Sequence, residues 1–267
     1  MRLKDKIVLV TASTRGIGWA IVNACAKEGA IVYMGARNLT RAQQQADTLN
    51  RQGMRVIPVY NDATDLDSHR TMIEEIRQKE GRLDVLVNNF GTSDPKTDLD
   101  IEHTRWEDFQ KTVNLNLASV FITSQAAIAL MKEHGGGSIV NISSIGGLVP
   151  DVARIGYAVS KDAIIYLSKN MAVQTARDHI RVNVVCPGQT ATDAVLNNMS
   201  PQFQEFFMRH TPIRRMGKPE EIAAAVLYFA SEESAYTTGQ VLAVSGGFGL
   251  ATPVYADLSD LSADQKH

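Results

Sequence analysis

The sequence predicts one α/β domain: a doubly wound, parallel, seven-stranded sheet with helices on both faces. Two observations carry that prediction. Short apolar, β-branched runs alternate with longer amphipathic stretches along nearly the whole chain. The runs are apolar throughout rather than at every second residue, which marks strands covered on both sides.

The elements follow in order. KIVLV (6–10) is the first strand, and a helix covers 18–29. AIVYMG (30–35) is the second strand, and residues 39–53 form a helix that Gly53 ends. RVIPVY (55–60) precedes a helix from Asp65 to Glu80. LDVLVNN (83–89) precedes a long helix from about Trp106 to His134, closed by the glycines at 135–137. SIVNISS (138–144) leads to a helix from about Tyr157 to Arg177. IRVNVVCPG (180–188) runs into a loop, PEEIAAAVLYFAS (219–231) is a helix, and GQVLAVSGG (239–247) is the last strand. No Pro/Ser-rich linker or repeat interrupts the rhythm, so residues 1–267 read as one domain.

A chain of 267 residues, 44% hydrophobic, can bury one substantial core. Its charges are mixed, with a net −2, so it carries neither a nucleic-acid stripe nor a polybasic membrane patch. No apolar run approaches the roughly 20 residues of a membrane span. The start, MRLKDKIVLV, lacks an apolar core followed by a cleavage site. Cys25 and Cys186 sit among apolar residues and read as free buried thiols. The expectation is a soluble cytoplasmic protein. The histidines are scattered without metal-ligand spacing, so no metal site is expected. Asp94, Asp98 and Asp100 alternate in a polar segment and read as a solvated acidic loop, with calcium the less favoured alternative.

TASTRGIG (11–18) lies between the first strand and the first helix. Small residues there permit a tight turn and let backbone amides approach a phosphate at the helix N-terminus. Ser13, Thr14, Arg15, Gly16, Ile17 and Gly18 are therefore candidate dinucleotide contacts. An ordinary turn explains the loop equally well. The second strand ends in GAR (35–37), with no carboxylate to hold a ribose 2′-hydroxyl. Arg37, helped by Arg15, offers a fork for a 2′-phosphate instead, which points to NADP(H).

These motifs resemble those of the short-chain dehydrogenase/reductase family, which has a Rossmann fold. TASTRGIG resembles its cofactor loop, VNNFG (87–91) its NNAG motif, SS (143–144) with YAVSK (157–161) its catalytic pattern, and PGQTAT (187–192) its segment after the sixth strand. The resemblance runs from Lys4 to about Gly247. Ala12 and Phe90 depart from the pattern, replacing a glycine and the alanine of NNAG.

The resemblance implies a tetrad of Asn116, Ser144, Tyr157 and Lys161. Tyr157 and Lys161 are four apart on a helix and share a face. A free tyrosine titrates near 10, and a neighbouring ammonium is expected to lower it. Tyr157 would take the alcohol proton, and Lys161 would also hold the ribose hydroxyls. Ser144 would bond the substrate oxygen, which makes Ser144 and Tyr157 the substrate contacts. Asn116 would hold a relay water. Ser143 and Asn114 are near-equivalents that the family spacing disfavours. The resemblance further implies cofactor contacts at Asp62, Ala63, Asn89, Thr190 and Thr192; Thr192 also reads as a helix N-cap.

Residues 190–215 carry Val195, Leu196, Met199, Phe203, Phe206, Phe207 and Met208. They form a candidate lid over a bulky hydrophobic substrate, or else they pack on the body. Residues 248–267 form a C-terminal extension. The combination of VNNFGTS, SSIGGLVPDVARIGYAVSK, HTPIRRMG and SGGFGLATPVYAD resembles the steroid-handling, NADP-dependent bacterial branch of the family. That implies interconversion of 7α-hydroxy and 7-oxo bile acids. The alternatives are a 3-oxoacyl-carrier-protein reductase or broad carbonyl reductase, and a non-enzymatic NADP-binding sensor or scaffold. By the same resemblance, the long helices from Trp106 and Tyr157 are expected to join subunits into a homotetramer.

Overall fold

The computed structural model describes residues 1–252 and 254–264. Among them seven strands form one parallel sheet: β1 (Ile7–Val10), β2 (Ile31–Ala36), β3 (Arg55–Tyr60), β4 (Val85–Asn88), β5 (Gly137–Ile142), β6 (Ile180–Pro187) and β7 (Val241–Val244). Their order is β3-β2-β1-β4-β5-β6-β7. The first strand shows why the runs are apolar throughout. Val8 and Val10 join the core beneath α1 (Gly16–Lys27), α2 (Leu39–Asn50) and α8 (Pro219–Ala230). Ile7 and Leu9 point the other way, into the core beneath α3 (Leu66–Glu80), α4 (Trp106–Glu133) and α5 (Ile155–Thr175). A strand buried on both faces needs an apolar side chain at every position.

At the C-terminal ends of β4 and β5 this ladder turns polar. Asn88 and Asn141 stand in register. Asn88 Nδ2 donates to Asn141 Oδ1 at 2.8 Å and to Ser124 Oγ at 3.0 Å, and Asn141 Nδ2 donates to Ser168 Oγ at 2.8 Å. Ser124 lies on α4 and Ser168 on α5, so buried hydrogen bonds pin both helices to the sheet at one end.

Helix α4 departs from the membrane reading. It is long and apolar enough to cross a bilayer by length and composition. Asn114, Asn116, Ser119 and Thr123 break its apolar run in the sequence. Here its Ala127, Leu130 and Met131 lie in the core, and it packs against α3 and α5.

Helix α6 (Asp193–Asn198) follows Thr192, the N-cap read from the sequence, whereas α7 (Pro201–Arg209) and α9 (Tyr255–Asp264) were not foreseen. A start signal for α7 is present in the sequence. Ser200 accepts from Phe203 N at 3.2 Å, and Pro201 occupies the first turn. Helix α9 lies in the C-terminal extension, of which Pro253 and residues 265–267 fall outside the described residues.

Candidate active site

The strand order reverses direction between β1 and β4, which opens a crevice at their C-terminal ends. The chain leaves β1 through Ala12, whose φ of 50° is left-handed. For a residue with a Cβ this costs about 1 kcal/mol. Gly16 is also left-handed, and a Cβ on Gly18 would stand 2.6 Å from both Ala12 O and Asn89 Nδ2. Asn89 braces the loop, donating through Nδ2 to Ala12 O at 3.0 Å and Thr11 O at 3.2 Å. Arg15, at the N-cap of α1, supplies no capping bond, and the first turn carries no acid. A helix N-terminus in that state suits a phosphate.

The individual cofactor candidates divide. Ser13 is fully buried, and its hydroxyl donates to Gly35 O at 3.2 Å, so it ties the loop to β2 rather than offering its side chain to a ligand. Thr14 accepts through its carbonyl from Gln45 Nε2, and Ile17 packs on the core. Arg15 and Arg37 are exposed and form no ion pair among the described residues. Asp62 accepts from Thr64 N and Oγ1. Those amide and hydroxyl bonds, with Arg37 and His69 nearby, hold its carboxyl below the usual range. Ala63 is buried beside it. Thr190 is buried and donates to Gly188 O. Thr192 is the N-cap of α6, and its Cγ2 lies 3.1 Å from where a Cβ on Gly16 would stand. That contact brings the segment after β6 against the glycine loop. These residues fit a nicotinamide dinucleotide: an amide-lined turn carrying Arg15, the cation Arg37 directly after β2, and an acid after β3.

The tetrad candidates converge at the ends of β4, β5 and α5. Tyr157 is half-buried in the first turn of α5. Lys161 is 2% exposed, and its ammonium donates to Ile142 O at 2.9 Å. Its Nζ lies 5.6 Å from the centre of the Tyr157 ring. The sequence reading has the ammonium lowering the phenol. The structure reverses this: burial pushes the Tyr157 phenol up, against weaker downward pulls from the Ser144 hydroxyl and the Arg154 charge. Arg154 stacks its guanidinium 5.4 Å from the same ring centre.

The structure also separates the near-equivalents. Ser143 is buried and donates to Lys161 O at 2.7 Å, whereas Ser144 lies beside the phenol. Asn114 is exposed, whereas Asn116 is fully buried. Asn116 Nδ2 donates to Thr92 O and Ser160 Oγ, and its Oδ1 accepts from Thr92 N at 2.9 Å. Both side-chain hydrogens are therefore engaged within the protein. The side chain binds the loop after β4 to α5 and has no hydrogen left to donate to a relay water.

The solvated-loop reading fails at Asp98, which is 1% exposed. Its carboxylate accepts from Gly156 N at 2.7 Å and Tyr157 N at 3.0 Å, so the sequence reading missed a residue of this site. Beyond β6, α7 presents Phe203 and Phe206 to solvent and stacks Phe207 on Phe248, with ring centres 5.3 Å apart. Arg209 at its end pairs with Asp257 and Asp260 of α9. The C-terminal extension thus lies against the candidate lid.

Burial lowers the Lys161 ammonium from its usual 10.5 to about 8. Between those values the unfolded chain holds a proton that the native chain has released, so stability rises with pH across the window. Below about 8 both states are charged, and the native state carries the full desolvation penalty. The unfolding free energy of the wild type relative to Lys161→Met should therefore climb by about 3 kcal/mol from pH 8 to pH 10.5. Urea titrations at both ends measure it, and a flat difference would contradict the assignment.

The sequence model of the family described as Enoyl-(Acyl carrier protein) reductase matches residues 11–249. A 7α-hydroxysteroid dehydrogenase of Paraclostridium sordellii is 47% identical, covering 96% of each chain. One from Clostridium sardiniense is 45% identical, covering 96% of this chain and 98% of its own. A solved 7α-hydroxysteroid dehydrogenase complexed with NADH and 7-oxo glycochenodeoxycholic acid superposes with a TM-score of 0.87. It is 33% identical and covers 92% of this chain and 95% of its own. With the reversed strand order, the amide-lined loop and the Ser144–Tyr157–Lys161 cluster in place, this chain belongs to the short-chain dehydrogenase/reductase family, whose members bind NAD(P).

Proposed function

We propose that the protein is an NADP-dependent oxidoreductase that interconverts 7α-hydroxy and 7-oxo bile acids. The near full-length likeness to hydroxysteroid dehydrogenases carries the choice of substrate. The chemistry rests on half-buried Tyr157 and buried Lys161, with Ser144 beside the phenol. A bound nicotinamide supplies hydride acceptance or donation at its C4. Tyr157 handles the proton at its phenolic oxygen. Burial keeps that phenol protonated, which suits donation to a carbonyl oxygen in reduction. In the oxidising direction the same oxygen accepts the alcohol proton, with the Ser144 hydroxyl and the Arg154 charge favouring the phenolate. The Ser144 hydroxyl holds the substrate oxygen, and the apolar α6–α7 segment covers the steroid body.

The NADP preference is supported by Arg37, a cation directly after β2 where an acid would favour NAD, and by Arg15 at the start of α1; neither forms an ion pair among the described residues. The homotetramer is supported by a groove of about 930 Å³ between α4 and α5. Phe121 and Tyr166 on its walls are 51% and 70% exposed, which leaves an aromatic surface suited to a second copy of the chain. The free, buried Cys25 and Cys186 suit the reducing cytoplasm in which we place the enzyme.

Cholate oxidation with NADP tests the reading. Tyr157→Phe should lower kcat by about 10³-fold, and wild-type speed in that variant would reject the proton role. Turnover of acetoacetyl thioesters but not cholate would favour the carrier-protein reductase instead. Arg37→Ala should reduce the kcat/KM preference for NADP over NAD by about 10- to 100-fold; an unchanged ratio would remove Arg37 from phosphate recognition. Light scattering should return four chain masses, and a single mass would refute the tetramer.

A further inference from the structure

The first turn of α5 has an unusual beginning. Arg154, at its N-cap, is left-handed (φ 59°, ψ 48°) and makes no side-chain cap. The amides of Ile155, Gly156 and Tyr157 therefore need acceptors from elsewhere. All three come from one loop. Ile155 N donates to Leu99 O at 3.0 Å, and Gly156 N and Tyr157 N donate to the two oxygens of Asp98. Asp98 is itself held by Ser93 Oγ, which donates to Oδ2 at 2.8 Å, and by its own amide, which donates to Asp94 O. Its buried carboxylate has no ion pair among the described residues, so the amides and dipole of α5 are its compensation. Gly156 leaves the room this requires: a Cβ there would meet Asp98 Oδ1 and Thr112 Cβ at 3.2 Å.

The same loop touches the other members of the site. A Cβ on Gly91 would stand 2.6 Å from Lys161 Nζ, and Thr92 clasps Asn116 through two hydrogen bonds. We infer that Asp98 is a positioning residue that clamps the first turn of α5, so that the Tyr157 hydroxyl is held in register with Ser144 and Lys161. The inference rests on the reading of Tyr157 as the proton-transfer group. A hydrogen-bonded alternative at this position, Asn, can accept from only one of the two amides. Its amino group then opposes the other N–H, so the clamp is half-kept.

The test compares Asp98→Ala and Asp98→Asn with Asn50→Ala, a stability control. Asn50 bonds Val56 N and O at the far end of the sheet, away from the site. For any substrate the wild type turns over, Asp98→Ala should lower kcat about 100-fold and Asp98→Asn about tenfold. NADPH affinity, read by cofactor fluorescence, and substrate KM should stay within about threefold. A kcat loss in Asp98→Ala no larger than in Asn50→Ala at equal loss of melting temperature would overturn the inference. Hydrogen exchange supplies a readout independent of turnover. The Gly156 and Tyr157 amides should exchange about 100-fold faster in Asp98→Ala while the later turns of α5 stay protected. If those amides exchange as fast in the wild type, the clamp does not exist. If they are protected yet no bile acid or ketone is turned over, the clamp stands and the proposed function falls.

Discussion

An ammonium group carried into the interior without a carboxylate partner among the described residues is the constraint around which this site is built. Lys161 is almost fully buried, and its hydrogen bond goes to a main-chain carbonyl at the end of β5. A lone buried charge is expensive, which is why its proton is loosened. The neighbours are shaped to this one side chain and its helix. Gly91 leaves space at Nζ, and Ser143 bonds the lysine carbonyl. Gly147 lets the turn after β5 approach the helix backbone, since a Cβ there would lie 2.7 Å from the Lys161 carbonyl carbon. Stability alone would favour an apolar residue at this position, so the burial points to function.

Neutral amides and one carboxylate give the site its register. Asn88, Asn141 and Ser168 tie sheet to helix, Asn116 ties the loop after β4 to Ser160, and Asp98 holds the next turn. Each bond is directional and buried, so a shift of α5 along the sheet would break several together. Apolar packing alone, being non-directional, would tolerate such a slide. The tyrosine's position is thus specified by polar groups, while the energy of assembly comes from the two apolar cores.

The two ends of the crevice differ in kind. The dinucleotide end is made of tight turns braced by buried hydrogen bonds, as at Asn89 and Ser13. The end proposed for the substrate carries short helices with exposed aromatics, held by a Phe207–Phe248 stack and by surface ion pairs from Arg209. Exposed ion pairs contribute little each. A segment held this way opens more cheaply than the sheet beneath it, which suits the covering role proposed for it.

Seven strands, their main covering helices and the glycine turn before α1 were legible in the sequence because each is a local pattern: a run, a period, or a glycine between strand and helix. The tetrad was legible only through family resemblance, since Asn114 and Asn116, or Ser143 and Ser144, are chemically alike. Tertiary structure separates them, placing Asn114 in solvent and turning Ser143 onto the lysine carbonyl. Asp98 was misread because its spacing with Asp94 and Asp100 looks like a surface loop; its burial is produced by a helix 58 residues downstream. The tyrosine was misjudged for a related reason. A separation of four residues places Lys161 on its face, but whether the ammonium reaches the phenol depends on where it finds an acceptor. That acceptor belongs to β5, and burial, a property of the whole fold, sets the direction in which the phenol moves.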